Sequence, residues 1–218
     1  MGSRRGQSLR IRGRGRSRPS FRERFGLDRS GPPPRQTRPG QPLRPWTIPN
    51  LIGYVRLAAI PVFLYIALTS DGGEPDIWAA VIFWAIAVGD YVDGFVARAT
   101  GQYSRLGALL DPIVDRITIL SGAAVCWHFE LLPRWALAVL AGRELLMLVM
   151  GQFYLRRGET LEINWFGRIS VFPIMGAIFW AMVFESVVWD VMFVAGVALS
   201  VLATIAYVRT GLTRLAAT

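Results

Sequence analysis

The sequence predicts an all-α integral membrane protein with six transmembrane helices and both termini in the cytoplasm. The chain has 218 residues, of which 53% are hydrophobic and only 18% are charged. Its apolar residues fall into six segments, each close to the ~20 residues that a helix needs to cross the hydrocarbon core. Short stretches rich in charge and turn residues, such as "SDGGEPD" and "RRGETLEIN", separate these segments. Arginine, finally, is concentrated in the segments expected on one side of the membrane, which indicates the orientation of the chain.

The six predicted spans cover residues 49–69, 77–98, 105–128, 135–155, 168–186 and 190–208. An even number of spans places both termini on one side of the membrane. The arginines expected on that side are Arg98, Arg105, Arg156, Arg157, Arg168, Arg209 and Arg214. The opposite loops offer only Arg134, and arginine favours the cytoplasm. A soluble bundle of six buried helices is disfavoured, because hardly any polar face remains to cover it.

Residues 1–46 are predicted to form a disordered cytoplasmic tail, followed by a six-span domain over residues 47–218. Of the 24 basic residues, all arginine, 13 lie before residue 45, beside only two acids. A segment so rich in Arg, Gly, Ser and Pro cannot bury enough apolar surface to offset its ordering entropy. Its charge suits anionic lipid headgroups of the bilayer. Nucleic acid is disfavoured because few aromatic residues are present for base stacking, and a solvated tail that only fixes topology stays open.

Four aspartates interrupt the apolar pattern of the second and third predicted spans. Asp90 and Asp93 are three residues apart, and Asp111 and Asp115 are four apart, so each pair shares a helix face. A short loop makes the two helices antiparallel neighbours and brings the four carboxylates together in the cytoplasmic half of the membrane. Ionisable groups inside a span are costly and are functional candidates by default.

Four carboxylates so close together repel one another unless cations neutralise them. Ligands that are all oxygen favour hard ions, here magnesium or manganese rather than zinc. The alternative is a structural network that pairs the acids with Arg98, Arg105 and Arg116.

The same stretch resembles the signature of the CDP-alcohol phosphotransferase family, D-x-x-D-G-x-x-A-R-x8-G-x3-D-x3-D. Its fixed positions are Asp90, Asp93, Gly94, Ala97, Arg98, Gly107, Asp111 and Asp115. The resemblance covers about residues 47–210. It implies a multi-pass enzyme of the inner or plasma membrane, typically a homodimer, with a polar cavity that faces the cytoplasm. Such an enzyme transfers a phosphatidyl or similar group from a CDP-linked donor, here CDP-diacylglycerol, to an acceptor alcohol and releases CMP.

Residue roles follow from this resemblance. The four aspartates would hold a pair of Mg²⁺ or Mn²⁺ ions, and Asp115 would also accept the proton of the attacking hydroxyl. The expected donor-binding residues are Asn50, Gly94, Ala97, Arg98, Ser104 and Gly107. Asn50 and Arg56, in "TIPNLIGYVR", match the P-N-x-x-[TS]-x-x-R start of the glycerophosphate-using branch, although Gly53 replaces its hydroxyl residue.

Arg143 is the expected acceptor-binding residue. "GRELL" resembles the R-E pair of phosphatidylglycerophosphate synthases, where an arginine could bind the phosphate of glycerol 3-phosphate, the favoured acceptor. Glu144 lies about 100° further around the helix and is expected to pair poorly with Arg143, although a buried salt bridge stays open.

Two further acceptors and one other class of protein remain. The "LLMLVMGQF" after Glu144 lacks the polar residues of the phosphatidylglycerophosphate synthase branch. Cardiolipin synthases, which use phosphatidylglycerol, are therefore the next alternative, and an inositol phosphate acceptor is third. A cation transporter would also carry intramembrane acids, but it gives no reason for the signature's glycines, alanine and arginine at their spacing.

Overall fold

The structure, a computed structural model, describes residues 42–70, 74–156 and 169–215, except for the side chains at 151–156, 207 and 210–215. All regular secondary structure in these ranges is α-helical. The helices are α1 (Ile48–Leu68), α2 (Ile77–Thr100), α3 (Arg105–His128), α4 (Arg134–Arg156), α5 (Val171–Val183) and α6 (Val187–Leu215). The predicted tail lies outside the described residues up to position 41, so its disorder stays a prediction.

Side-chain caps explain where the first three helices begin. Thr47 accepts from the backbone N–H of Asn50 at 3.4 Å, and Asp76 accepts from that of Trp78 at 2.9 Å. Ser104 accepts in the same way from the backbone N–H of Gly107 in α3, at 2.8 Å. Each cap satisfies an N–H group that has no partner within its helix.

A tight turn joins α2 to α3. α2 ends at Thr100 and is followed by Gly101 in the left-handed conformation, with φ of 68°. Glycine adopts this conformation without steric cost. Because α3 begins at Arg105, the connection is short, and α2 and α3 are adjacent antiparallel helices as expected from the sequence.

The last two helices differ from the prediction. The fifth segment, predicted over residues 168–186, contains an α5 of only 13 residues, and the sixth, predicted over 190–208, belongs to an α6 of 29 residues. Phe184 is extended, with φ of −163° and ψ of 147°, and ends α5. The break between α5 and α6 lies within three residues of the one predicted between positions 186 and 190.

The outer surface of the helices is largely apolar, as expected of a protein surrounded by lipid. Helices Ile48–Leu68, Ile77–Thr100 and Val187–Ala206 are long and apolar enough to cross a membrane, and Val171–Val183 is a shorter apolar helix. Large apolar side chains such as Phe172 and Val149 are exposed. An outer surface of this kind suits lipid rather than water.

Helix α3 occupies the centre of the packing. It contacts α1, α2, α4 and α5, while α6 packs on α4 and α5. The core between the helices contains fully buried large side chains, among them Phe63, Phe83 and Phe193. The aspartates of α3 are therefore carried by a helix that is held by its neighbours on several sides.

Candidate active site

Arg56 on α1 binds the aspartates of α2 and α3 together. Its Nη1 donates to Asp90 Oδ1 at 3.0 Å and to Asp93 Oδ2 at 3.1 Å, and its Nη2 donates to Asp115 Oδ1 at 2.9 Å. Its Nε donates to the backbone carbonyl of Ile86 at 3.0 Å. Three helices thus meet at one guanidinium. The predicted convergence of the four aspartates is confirmed for Asp90, Asp93 and Asp115, which Arg56 binds directly.

Exposure divides this cluster into an inner and an outer part. The side chains of Arg56 and Asp93 are 4% and 7% exposed, whereas those of Asp90 and Asp115 are 45% and 42% exposed. Asp111 lies one turn before Asp115 on α3 and is half-buried. Asp90 and Asp115 are therefore more accessible than Asp93 among the carboxylates that Arg56 binds.

The donor chemistry of the cluster fits a hard divalent cation. All of its acidic side chains would offer carboxylate oxygens as metal ligands. Asp90 and Asp93 already share one cationic nitrogen of Arg56. In the part of the chain that the structure describes, however, no three acidic, histidine or cysteine side chains are preformed as a metal site. The guanidinium of Arg56 lies where these carboxylates converge.

Asn50, Ser104 and Gly107, three of the expected donor-binding residues, lie together at the starts of α1 and α3. Ser104 Oγ donates to Asn50 Oδ1 at 2.8 Å, and Asn50 Nδ2 donates to the carbonyls of Arg44 and Pro45 at 3.1 and 3.2 Å. A Cβ on Gly107 would lie 2.7 Å from Asn50 Oδ1. Because the side chains of Asn50 and Ser104 are buried and engaged internally, they position the helices here.

Gly94, Ala97 and Arg98 lie together on α2, within two turns of Asp93. A Cβ on Gly94 would lie 3.3 Å from Nη1 of Arg98. The side chain of Arg98 therefore runs back over Gly94, and a larger residue at position 94 would displace it.

The structure corrects the expectation for Arg143 and Glu144. Arg143 Nη1 donates to Glu144 Oε1, and Arg143 Nε donates to Thr204 Oγ1 at 3.1 Å. The expectation that these neighbours pair poorly is wrong, and the buried salt bridge that the sequence left open is present. Glu144 is 2% exposed, and a buried carboxylate strongly favours a cationic partner.

Arg116, the residue after Asp115, joins this second cluster. Its Nε lies 3.6 Å from Glu144 Oε2, and its Nη1 donates to the carbonyl of Pro112 at 3.1 Å. The Nε is buried and has no hydrogen-bond partner among the described residues. Arg116, Arg143 and Glu144 thus form a partly buried group with one more positive charge than negative.

A sequence model of CDP-alcohol phosphatidyltransferases matches residues 46–205, which include both clusters. The chain belongs to the CDP-alcohol phosphatidyltransferase family. Membership confirms the resemblance found in the signature, and together with the apolar helices it makes the chain a membrane protein. Family members use CDP-alcohol substrates at a membrane.

Several curated relatives of this family are similar to the chain. It is 40% identical over 134 residues to the cardiolipin synthase (CMP-forming) of Streptomyces coelicolor and 34% identical over 130 residues to a putative cardiolipin synthase of Mycobacterium tuberculosis. These matches cover 60% and 59% of the chain, and 62% and 61% of the two relatives. The chain therefore spans less than two thirds of either.

The chain also matches a second enzyme of phospholipid synthesis. It is 28% identical over 144 residues to the CDP-diacylglycerol–glycerol-3-phosphate 3-phosphatidyltransferase of Escherichia coli, covering 63% of the chain and 77% of that protein. The corresponding Bacillus subtilis enzyme is 27% identical over 136 residues, covering 57% of the chain and 70% of the enzyme.

Sequence reasoning within the family pattern missed how Arg56 and Glu144 act. Arg56 is the arginine that lies among the aspartates. The salt-bridge network considered from the sequence paired the aspartates with Arg98, Arg105 and Arg116 instead. A signal was present, because α1 contains no acidic residue and an arginine within an apolar helix needs an anion from elsewhere.

Proposed function

We propose that the chain transfers a phosphatidyl group from CDP-diacylglycerol to an acceptor alcohol and releases CMP. The observation that supports this most directly is the convergence of Asp90, Asp93 and Asp115 around the guanidinium of Arg56. All three aspartates belong to the family's signature stretch. An anionic diphosphate donor needs cationic surroundings where the phosphorus–oxygen bond breaks. The partly exposed carboxylates are placed to provide such surroundings through bound ions.

Asp90, Asp93, Asp111 and Asp115 would hold a pair of Mg²⁺ or Mn²⁺ ions. Such ions, when bound, neutralise charge on the diphosphate and on the departing CMP. Family resemblance assigns the donor nucleotide to the side of Gly94, Ala97 and Arg98. Asn50, Ser104 and Gly107 act through helix position in this proposal, because their polar groups bind one another.

Asp115 is the proposed proton acceptor. The acceptor hydroxyl attacks the phosphatidyl phosphorus, its proton passes to Asp115, and the bond from phosphorus to the CMP oxygen breaks. A base must be within reach of substrate, and the Asp115 side chain is 42% exposed. Before ions bind, the bond from Arg56 Nη2 to Asp115 Oδ1 orients this carboxylate.

The acceptor is proposed to be a glycerol that carries a phosphate group. Arg116 and Arg143 supply positive charge for that phosphate, and Arg116 directly follows Asp115 on α3. Glycerol 3-phosphate and phosphatidylglycerol share this chemistry. We favour phosphatidylglycerol, because the cardiolipin synthases have 40% and 34% identity to the chain and the glycerol 3-phosphate enzymes 27% and 28%.

The membrane arrangement is part of the proposal. Six spans with cytoplasmic termini place the aspartates and the arginines that flank α2 and α3 on the cytoplasmic side. α3 and α4, of 24 and 23 residues, are long enough to cross at about 1.5 Å per residue. A homodimer is proposed from family resemblance.

A product assay with single acceptors tests the choice of substrate. Purified protein receives CDP-diacylglycerol and Mn²⁺, then glycerol 3-phosphate, phosphatidylglycerol or inositol phosphate in separate reactions. We expect cardiolipin with phosphatidylglycerol and no product with the others. Phosphatidylglycerophosphate as the sole product would identify glycerol 3-phosphate instead. If the protein forms no lipid product but carries cations across vesicle membranes, it is a transporter instead.

A further inference from the structure

The side chain of Arg56 has a built path into the aspartate cluster. A Cβ on Gly89 would lie 3.0 Å from both Cγ and Cδ of Arg56, so the glycine gives this side chain room to cross α2. Once past Gly89, the guanidinium uses Nε, Nη1 and Nη2 in bonds to the carbonyl of Ile86 and to three carboxylates. Its contacts are therefore specific to this cluster.

Arg56 and a divalent ion would compete for the same oxygens. Hydrogen bonds from Arg56 occupy one oxygen each of Asp90, Asp93 and Asp115, and all three of these acids are among the proposed ligands. A guanidinium stays protonated under all ordinary conditions. Its positive charge therefore opposes the entry of a second cation at short range.

We propose that Arg56 is a built-in counter-cation, a positioning residue that holds Asp90, Asp93 and Asp115 together without divalent ions and weakens ion binding when ions arrive. This role rests on the metal dependence of the proposed function. It explains why aspartates on two helices can lie side by side while no three of the described acids form a preformed metal site. Ion binding would then require Arg56 to release carboxylate oxygens.

Mn²⁺ binding to the full-length protein in detergent tests the competition, with free Mn²⁺ followed by electron paramagnetic resonance. We expect Arg56→Gln to bind Mn²⁺ about tenfold more tightly or better, because one opposing charge is gone. Arg56→Lys, which keeps a charge, should stay close to the wild-type affinity. Arg134→Gln is the matched control, since Arg134 pairs with exposed Glu130 at 2.8 Å, away from the cluster.

Thermal unfolding in EDTA supplies the second readout. In EDTA, Arg56→Gln should unfold at a lower temperature than the wild type. Added Mn²⁺ should raise the unfolding temperature of Arg56→Gln by more than it raises that of the wild type. Gly89→Ala displaces the Arg56 side chain without removing its charge. We therefore expect its unfolding temperature and its Mn²⁺ affinity to change in the same directions as in Arg56→Gln, but by less. If Arg56→Gln does not fold, Gly89→Ala decides alone: tighter Mn²⁺ binding supports the role, and unchanged binding overturns it.

Separate outcomes distinguish this role from the proposed function. Equal or weaker Mn²⁺ binding by Arg56→Gln would overturn the counter-cation and leave the transfer reaction standing. Failure of every protein to bind Mn²⁺ in the presence of CDP-diacylglycerol would overturn the metal dependence itself, and the competition with it.

Discussion

Ser104 donates a hydrogen bond of 2.8 Å to Asn50 and so ties the start of α3 to the start of α1. The same hydroxyl caps α3 by accepting from the N–H of Gly107 at 2.8 Å. Both side chains are buried. This link sets the position of α3 along α1, and hence the level at which Asp115 meets Arg56.

Gly107→Ala should disrupt this link. The added methyl group would lie 2.7 Å from Asn50 Oδ1 and 3.1 Å from Ser104 Oγ, so one of them must move. We expect a loss of about 1–3 kcal/mol in the free energy of unfolding, measured by thermal unfolding in detergent. Gly142→Ala is the control, because a Cβ on Gly142 would have nothing within 4 Å, and this variant should unfold like the wild type. Equal unfolding of both variants would contradict the proposed link.

Two truncations should separate the tail from the segment that binds Asn50. Removal of residues 1–41 takes away no signature residue and should leave CMP release in neutral detergent nearly unchanged. Removal of residues 1–46 also deletes the carbonyls of Arg44 and Pro45, which accept from Asn50 Nδ2. The shorter protein should therefore lose stability and activity. Loss of most activity on removal of 1–41 would show that the tail belongs to the catalytic unit.

Asp115→Asn and Asp93→Asn should affect different steps. Asn at position 115 can still accept the bond from Arg56 but cannot take a proton, so we expect turnover to fall about 10²-fold to 10⁴-fold with donor binding largely retained. Asp93→Asn removes a buried charge and should weaken Mn²⁺-dependent binding of CDP-diacylglycerol. Turnover and donor affinity are measured on the same preparations. Near-normal CMP release by Asp115→Asn would exclude Asp115 as the proton acceptor.

Arg143 can be tested for acceptor binding apart from its ion pair with Glu144. In a Glu144→Gln background the ion pair is already lost, so a further Arg143→Gln change reports on other roles. We expect the second change to raise the acceptor KM about tenfold, worth roughly 1.4 kcal/mol, and to leave the donor KM unchanged. A purely structural pair would give no further increase in the acceptor KM.

The sequence predicted features that depend on local patterns. Helices α1 to α4 begin and end within two residues of their predicted spans, because caps and breaks coincide with the hydropathy pattern there. The grouping of Asp90 and Asp93 with Asp115 followed from spacing and a tight turn. The family followed from a signature with fixed positions.

The sequence could not give features that depend on packing between distant segments. Arg56 reaches Asp115 from 59 positions away, and nothing local distinguishes that partner from others. The pairing of Arg143 with Glu144 depends on side-chain conformation and burial. The extended conformation of Phe184 ends α5 three residues before the predicted end of the fifth span.

The most direct test of the central claim is the stoichiometry of CMP release. Purified protein is incubated with CDP-diacylglycerol, phosphatidylglycerol and Mn²⁺, and CMP and lipid product are quantified together. We predict equal molar amounts of CMP and cardiolipin, with both lost in Asp115→Asn. Absence of CMP release with every acceptor, or CMP release that Asp115→Asn leaves unchanged, would contradict the account.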